Sequence, residues 1–170
     1  MPKMPNSMPS ERDVSQGRQY VTLSLDSELF AVDVSRVREI LDLGVIARLP
    51  NAPPFLLGMI DLRGECVAVI DLRSKLGLPA VDRTTQTRIL VLDVEVAGRG
   101  LVLGLLADRV LEVTPLDGGL IGPPPDIGTR WHSDYIEGVG RRGDRLVVVF
   151  DLTRLFSADE VALIVPQAAA

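Results

Sequence analysis

The chain has 170 residues and a formal net charge of -5, and 46% of it is hydrophobic but only 4% aromatic. So apolar a composition excludes a disordered chain, and the acid excess argues against a binder of phosphate backbones, which needs a basic face. A single cysteine and a single histidine exclude an intramolecular disulfide and a four-ligand Cys/His zinc site.

With so few aromatics the core must be built from Val, Leu and Ile, and the β-branched ones favour strands. The leading MPKMPNSMPSERDVSQGRQ is rich in Met, Pro and Ser and has no continuous apolar run. It reads as a loose tail over residues 1–18 and not as a signal peptide. No run of about 18 apolar residues predicts a membrane span, so a reduced, cytoplasmic protein is expected.

From Tyr20 the pattern changes. YVTLSL and LFAVDV alternate apolar and polar residues around the turn-like DSE, which predicts a β-hairpin. VSRVREIL, 34–41, extends the second strand or starts a helical turn; propensity leaves both open. ARLPNAPPFLLG holds three prolines and an asparagine and cannot be a central strand. GMIDLRGECVAVIDLR, 58–73, reads as a second hairpin with Gly64 in its turn, and SKLGL as a short closing turn ending near Gly77.

The same order then recurs. RILVLDVEVAGRGLVLGLLADRVLEV, 88–113, predicts two strands around a glycine turn, followed by Val110-Leu111-Glu112-Val113, which echoes Val37-Arg38-Glu39-Ile40. IGPPPDIG repeats the proline-rich connection, and EGVGRRGDRLVVVFDLTRLF, 137–156, matches the second hairpin. Gly58 and Asp71 are thirteen residues apart, as are Gly138 and Asp151. This is an internal repeat, with lobes expected over 19–83 and 84–156 and the terminal strands open to exchange between them. Strands as apolar as CVAVI and LVVVF suit closed barrels covered on their outer face as well. SADEVALIVP sets Ser157 and Glu160 at capping-box spacing and predicts a short C-terminal helix within 157–170.

No residue set supports catalysis. Cys66 lies in an apolar strand without a neighbouring base and reads as buried core filling. His132 stands beside Ser133 and Asp134, but adjacent side chains point apart and do not assemble a triad. Trp131 is a recognition residue or a lid on the second lobe, and the sequence leaves both open. The glycine-containing segments VAGRG, PLDGG and GVGRRG match neither phosphate-binding fingerprint and read as turns. Asp71 and Asp151 read as caps of the turns that follow them. Arg63, at the hairpin tip, remains without a structural reason. Its counterpart in the second hairpin is Gly143, so a shared structural need would not explain it, and Glu39 is its candidate ion-pair partner.

LFAVDVSRVREI, RLPNAPPFLLGMIDLRGECVAVIDLR, LGLLADRVLEV and YIEGVG with GDRLVVVFDLTRL, in this order over residues 19–156, resemble the CheW family of chemotaxis coupling proteins. The resemblance implies an all-β fold of two five-stranded SH3-like barrels packed side by side. It implies a non-catalytic adaptor with no cofactor and no bound metal, coupling a histidine autokinase to the cytoplasmic tips of chemoreceptors. The implied partners are the kinase's regulatory domain, of the same fold, a receptor helical hairpin, and possible further copies of the chain in rings. Nucleic acid and direct membrane insertion are not implied, and the location is cytoplasmic, at membrane-associated receptor arrays. On the first lobe the resemblance assigns partner contact to Val37 and Glu39, flanked by Val34 and Ile40, with Arg63 as the arginine facing Glu39. On the second it assigns Gly104, Val110 and Val113, the glycine letting a helix approach. Core packing is the alternative for each valine. An adaptor of a non-motility pathway, for pili or surface sensing, is the alternative function, and a small-barrel ligand-binding module a more distant one. Asp61, where the family often has Asn, and the Arg141-Arg142 pair depart from the pattern.

Overall fold

The computed structural model describes residues 18–96, 98–117, 120–122 and 135–164. The expectations for Trp131, His132 and most of the second proline-rich segment lie outside these residues. In chain order the elements are β1 (Tyr20–Leu25), β2 (Glu28–Asp33), a 3-10 turn (Val34–Arg36), β3 (Val37–Asp42), β4 (Leu56–Leu62), β5 (Glu65–Asp71) and α1 (Leu72–Lys75). They continue with β6 (Arg88–Val96), β7 (Arg99–Ala107), β8 (Arg109–Thr114), β9 (Leu120–Gly122), β10 (Ile136–Arg142), β11 (Arg145–Phe150), α2 (Leu152–Leu155) and α3 (Ala158–Ile164). The segment 34–41 therefore starts with a 3-10 turn and does not extend β2: the strand that follows, β3, is a new one in the other sheet.

One sheet has the order β3-β6-β7-β5-β4 and the other β8-β1-β2-β11-β10-β9. Each repeat thus gives its leading hairpin to the sheet built on the other repeat's remaining strands. The joints are the two parallel pairs, β5 with β7 and β11 with β2. In the β3–β7 barrel the chain leaving β3 returns at Ala47 to pair with Met59 on β4, through N–H···O bonds of 2.8 and 2.7 Å. In the other barrel β9 does the same against β10.

The apolar strand faces sort into three cores. Ile60, Val67, Val69, Ile89 and Val91 fill the β3–β7 barrel. Tyr20, Leu29, Ala31, Val147 and Val149 fill the other. The largest cluster lies between the sheets and draws on both, with Val21, Leu23 and Val32 from one and Ile70, Leu90, Leu92 and Leu105 from the other. Period-two alternation sends successive side chains to opposite faces, so on β6 Ile89 and Val91 enter the barrel while Leu90 and Leu92 enter the shared core. This is why strands such as β5 and β6 are apolar on both faces.

Three local features end these units as the sequence predicts. Asp71 and Asp151 cap α1 and α2 by accepting from the N–H of Arg73 and Thr153, each at 3.1 Å. Ser157 and Glu160 form a reciprocal capping box at 3.1 Å each way. Burial pushes the Glu160 carboxyl up, while hydrogen bonds from Lys75 and the Ser157 N–H more than offset it, leaving the group below its ordinary value.

Arg73, whose side chain is 5% exposed, is a tie between the lobes. Its Nε donates to the Asp108 carboxylate at 2.8 and 3.1 Å and one Nη to the Pro79 carbonyl at 2.9 Å, while the other Nη reaches both Asp26 and Asp108. Asp26 is in the β1–β2 turn, so this guanidinium holds the end of one barrel's β5 to a hairpin of the other. The hydrogen bond from Arg73 holds the Asp108 carboxyl below the usual carboxylate range against the opposite pull of burial.

Candidate partner-binding site

The tip of the β4–β5 hairpin is a two-residue loop, Arg63-Gly64, closed by the pair Leu62–Glu65. Both loop residues have positive φ, 51° at Arg63 and 88° at Gly64, as a type I′ turn requires to match the twist of its strands. Asp61 fixes the turn by accepting from the Gly64 N–H at 2.8 Å. An arginine in left-handed conformation costs roughly 1–2 kcal/mol. At the equivalent loop of the β10–β11 hairpin the position is Gly143, φ 64°, where that cost vanishes. The chain therefore carries a conformationally unfavourable residue at the first tip.

What the arginine meets there is Glu39. Nη1 donates to one carboxylate oxygen at 2.9 Å and Nη2 to the other at 3.3 Å, a bidentate pair. Glu39 is on β3, an edge strand paired only with β6. It lies opposite Val91 and so on the barrel side, while Val37 and Ile40 lie opposite Leu92 and Leu90 and face the shared core. Val37 packs partly on that core, as does Val34 from the 3-10 turn, whereas Ile40 is exposed. The Arg63 side chain is itself 77% exposed.

Val110 and Val113 occupy the same places on β8, the edge strand of the other sheet. They lie opposite Leu23 and Val21, both shared-core residues. Val110 is half-buried and Val113 exposed. Their glutamate, Glu112, pairs with Arg142 of the β10–β11 hairpin at 2.9 Å. The glutamate–arginine pair thus recurs in both lobes, which corrects the expectation that only the first hairpin supplies an arginine. It escaped the repeat alignment because Arg142 sits one residue before the turn, on the strand. The signal was present in Arg141-Arg142, which the sequence reading left unassigned.

Two further expectations change. Gly104 belongs to β7 in the β3–β7 barrel, not with Val110 and Val113, and it is buried. A Cβ there would come within 2.9 Å of the Ile89 methyl; interior packing therefore gives Gly104 its reason. Cys66 is exposed, not core filling, because β7 covers β5 only from Ala68 onward. Among the described residues no three His, Cys, Asp or Glu side chains are grouped to hold a metal ion, and no helix is long and apolar enough to cross a membrane.

The architecture is that of a double-barrel protein whose edge strands β3 and β8 each carry a glutamate bridged to a hairpin arginine. A CheW-like domain model matches residues 19–160, and the chain belongs to that family. It is 31% identical over 148 residues to the chemotaxis protein CheW of Klebsiella aerogenes, covering 87% of each chain. It is 27% identical over 158 residues to that of Bacillus subtilis, covering 92% of this chain and 98% of the relative. The crystal structure of the scaffolding protein TtCheW from Thermoanaerobacter tengcongensis superposes with a TM-score of 0.72 at 31% identity, over 84% of this chain and 90% of that one.

Proposed function

We propose that this protein is a chemotaxis scaffold that couples a histidine autokinase to chemoreceptor tips and that Glu39, Arg63 and the apolar residues of β3 and β8 are its contact set. The observation that carries the reading is Arg63. It occupies a strained turn position, is aimed by a bidentate carboxylate, and is left mostly open to solvent. An exposed ion pair contributes only about 0–1 kcal/mol, too little to explain a residue that costs about as much in backbone conformation. A planar guanidinium held in one orientation is useful for fixing a partner's polar groups. Ile40 and Val113, at equal places on the two edge strands, supply small apolar patches of the kind that seat a partner helix or strand. Membership of the family supports a scaffold in chemotaxis, since its relatives are named as a chemotaxis protein and a scaffolding protein.

The test is reconstitution of kinase, receptor fragment and this protein. Arg63→Ala and Glu39→Ala are expected to leave the fold nearly intact and to lower receptor-dependent kinase activity. Val37→Asp is expected to weaken receptor binding more than kinase binding. Full kinase activation by folded Arg63→Ala protein would falsify the contact role of the pair, and equal losses to both partners from Val37→Asp would remove the separate receptor surface.

A further inference from the structure

The edge strands β3 and β8 each carry a β-bulge, and the two bulges fall at equivalent places. On β3 the register passes from Val37 opposite Leu92 to Glu39 opposite Val91, so Arg38 is the extra residue. On β8 it passes from Val110 opposite Leu23 to Glu112 opposite Thr22, and the extra residue is Leu111. Consecutive side chains of a regular strand point to opposite faces; a bulge breaks that alternation and re-aims one of them. On β6, Asp93 shares a face with Ile89 and Val91, the face turned into the barrel. Glu39 lies opposite Val91, and the Arg38 Nε donates to both Asp93 carboxylate oxygens, at 2.8 and 2.9 Å. The bulge thus sends two neighbouring side chains of β3 to one face.

Both of them meet the β4–β5 tip. Glu39 takes Arg63, and an Arg38 Nη stands 3.9 Å from the Glu65 carboxylate. Arg63 and Glu65 flank Gly64, so β3 holds the tip on either side of its turn, and Asp93 anchors that hold on β6. The second lobe lacks this added grip. Leu111 stands where Arg38 does, and Ser24 lies two residues past the partner of Glu112, as Asp93 lies past that of Glu39. Arg145 stands where Glu65 does and donates to the Ser27 carbonyl instead.

We propose that Arg38 is a positioning residue of the partner-binding site, holding the β4–β5 tip against β3 so that Arg63 stays aimed at the partner. Each exposed pair alone is weak, but a guanidinium shared between two carboxylates joins three strands in one network. A long side chain kept in one orientation before binding loses less freedom when the partner arrives. The inference rests on the adaptor reading for what Arg63 is aimed at.

Two variants of the full chain test it. Arg38→Leu gives the first bulge the residue of the second, and Asp93→Asn removes the anchor with little change of shape. Both side chains are nearly half-exposed, so the variants keep the fold. In the free protein, nitrogen relaxation at the Arg63 Nε–H is expected to report a more mobile guanidinium in both variants, while the Arg142 Nε–H stays as in the parent. In reconstitution with kinase and receptor fragment, Arg38→Leu should lower kinase activation about two- to fivefold, the scale of an exposed charge network. Added to Arg63→Ala it should lower activation no further, because a residue that acts through another then has nothing left to position. An Arg63 guanidinium as ordered in both variants as in the parent would overturn the proposal. So would a further loss on adding Arg38→Leu to Arg63→Ala, which would make Arg38 a contact in its own right. The relaxation measurement needs no partner, so a failure here is told apart from a failure of the adaptor reading.

Discussion

The β4–β5 hairpin carries the same three letters twice, Asp61-Leu62-Arg63 at its tip and Asp71-Leu72-Arg73 at its far end, and the two arginines have opposite fates. Arg63 is 77% exposed and meets one carboxylate on an edge strand of its own sheet. Arg73 is 5% exposed and meets two carboxylates and a carbonyl, one of the acids supplied by the other sheet's hairpin. In both triplets the aspartate does the local work, accepting a backbone N–H two or three residues on. The arginine's role is decided by what the tertiary fold brings alongside. At the tip nothing covers it; at the far end the exchanged β1–β2 hairpin closes over it.

The strongest way to break this contrast is to remove each arginine in turn. Arg73→Ala leaves Asp108 part-buried with its main donor gone and the Pro79 carbonyl unpaired. A loss of about 3 kcal/mol is expected, at the low end for breaking a buried pair because Asp26 is itself half-exposed. It should appear as a lower urea midpoint at unchanged slope. Arg63→Ala should stay within about 1 kcal/mol of the parent. Equal losses would mean that the tip arginine is structural after all.

Acid titration sharpens the same point. Asp108 and Glu160 both hold their protons less tightly when folded than their ordinary values of about 3.9 and 4.3. The unfolded chain therefore takes up protons first as pH falls. The stabilisation these groups give is complete above those ordinary values and is lost as pH drops through the lowered folded ones. In Arg73→Ala the main cause of the Asp108 shift is gone, so the fall in unfolding free energy between pH 5 and pH 3 should be shallower than in the parent. An unchanged slope would show that Asp108 is not held by Arg73 in solution.

Much of this was legible in the sequence, and the rest failed for definable reasons. Strands, caps and the capping box are short-range matters: alternation, Asp71 and Asp151 before their turns, and Ser157 three residues ahead of Glu160. The hairpin exchange has no local signature, because β2 alternates identically whichever sheet receives it. The exposure of Cys66 depends on where β7 begins to cover β5, which is a fact of parallel register and not of the strand's own letters. Gly104 was read as a docking position when its constraint is the methyl of Ile89 across the ladder. The Glu112–Arg142 pair is hidden from a strict alignment of the two hairpins because its arginine stands one residue earlier, on the strand and not in the turn.

Arg63→Gly separates conformation from contact at the tip. Glycine relieves a left-handed cost of roughly 1–2 kcal/mol and removes an ion pair that gives about 0–1 kcal/mol. The variant should be as stable as the parent or up to about 2 kcal/mol more so, while receptor-dependent kinase activation falls as it does for Arg63→Ala. A variant that is both more stable and fully active would show that the arginine serves neither purpose.

The smallest effect is expected at the second lobe. Arg142 makes one hydrogen bond to Glu112 where Arg63 makes two to Glu39, and Glu112 is 47% exposed against 24% for Glu39. Arg142 is on a strand with no left-handed conformation to offset, so nothing is gained or lost in the backbone when it is replaced. A double-mutant cycle on Glu112 and Arg142 should return a coupling indistinguishable from zero, whereas the Glu39–Arg63 cycle should give a measurable favourable one. A stronger coupling at the second lobe would reverse the order. It would make the β8 edge the better-organised contact surface of the two and move the centre of the site across the shared core.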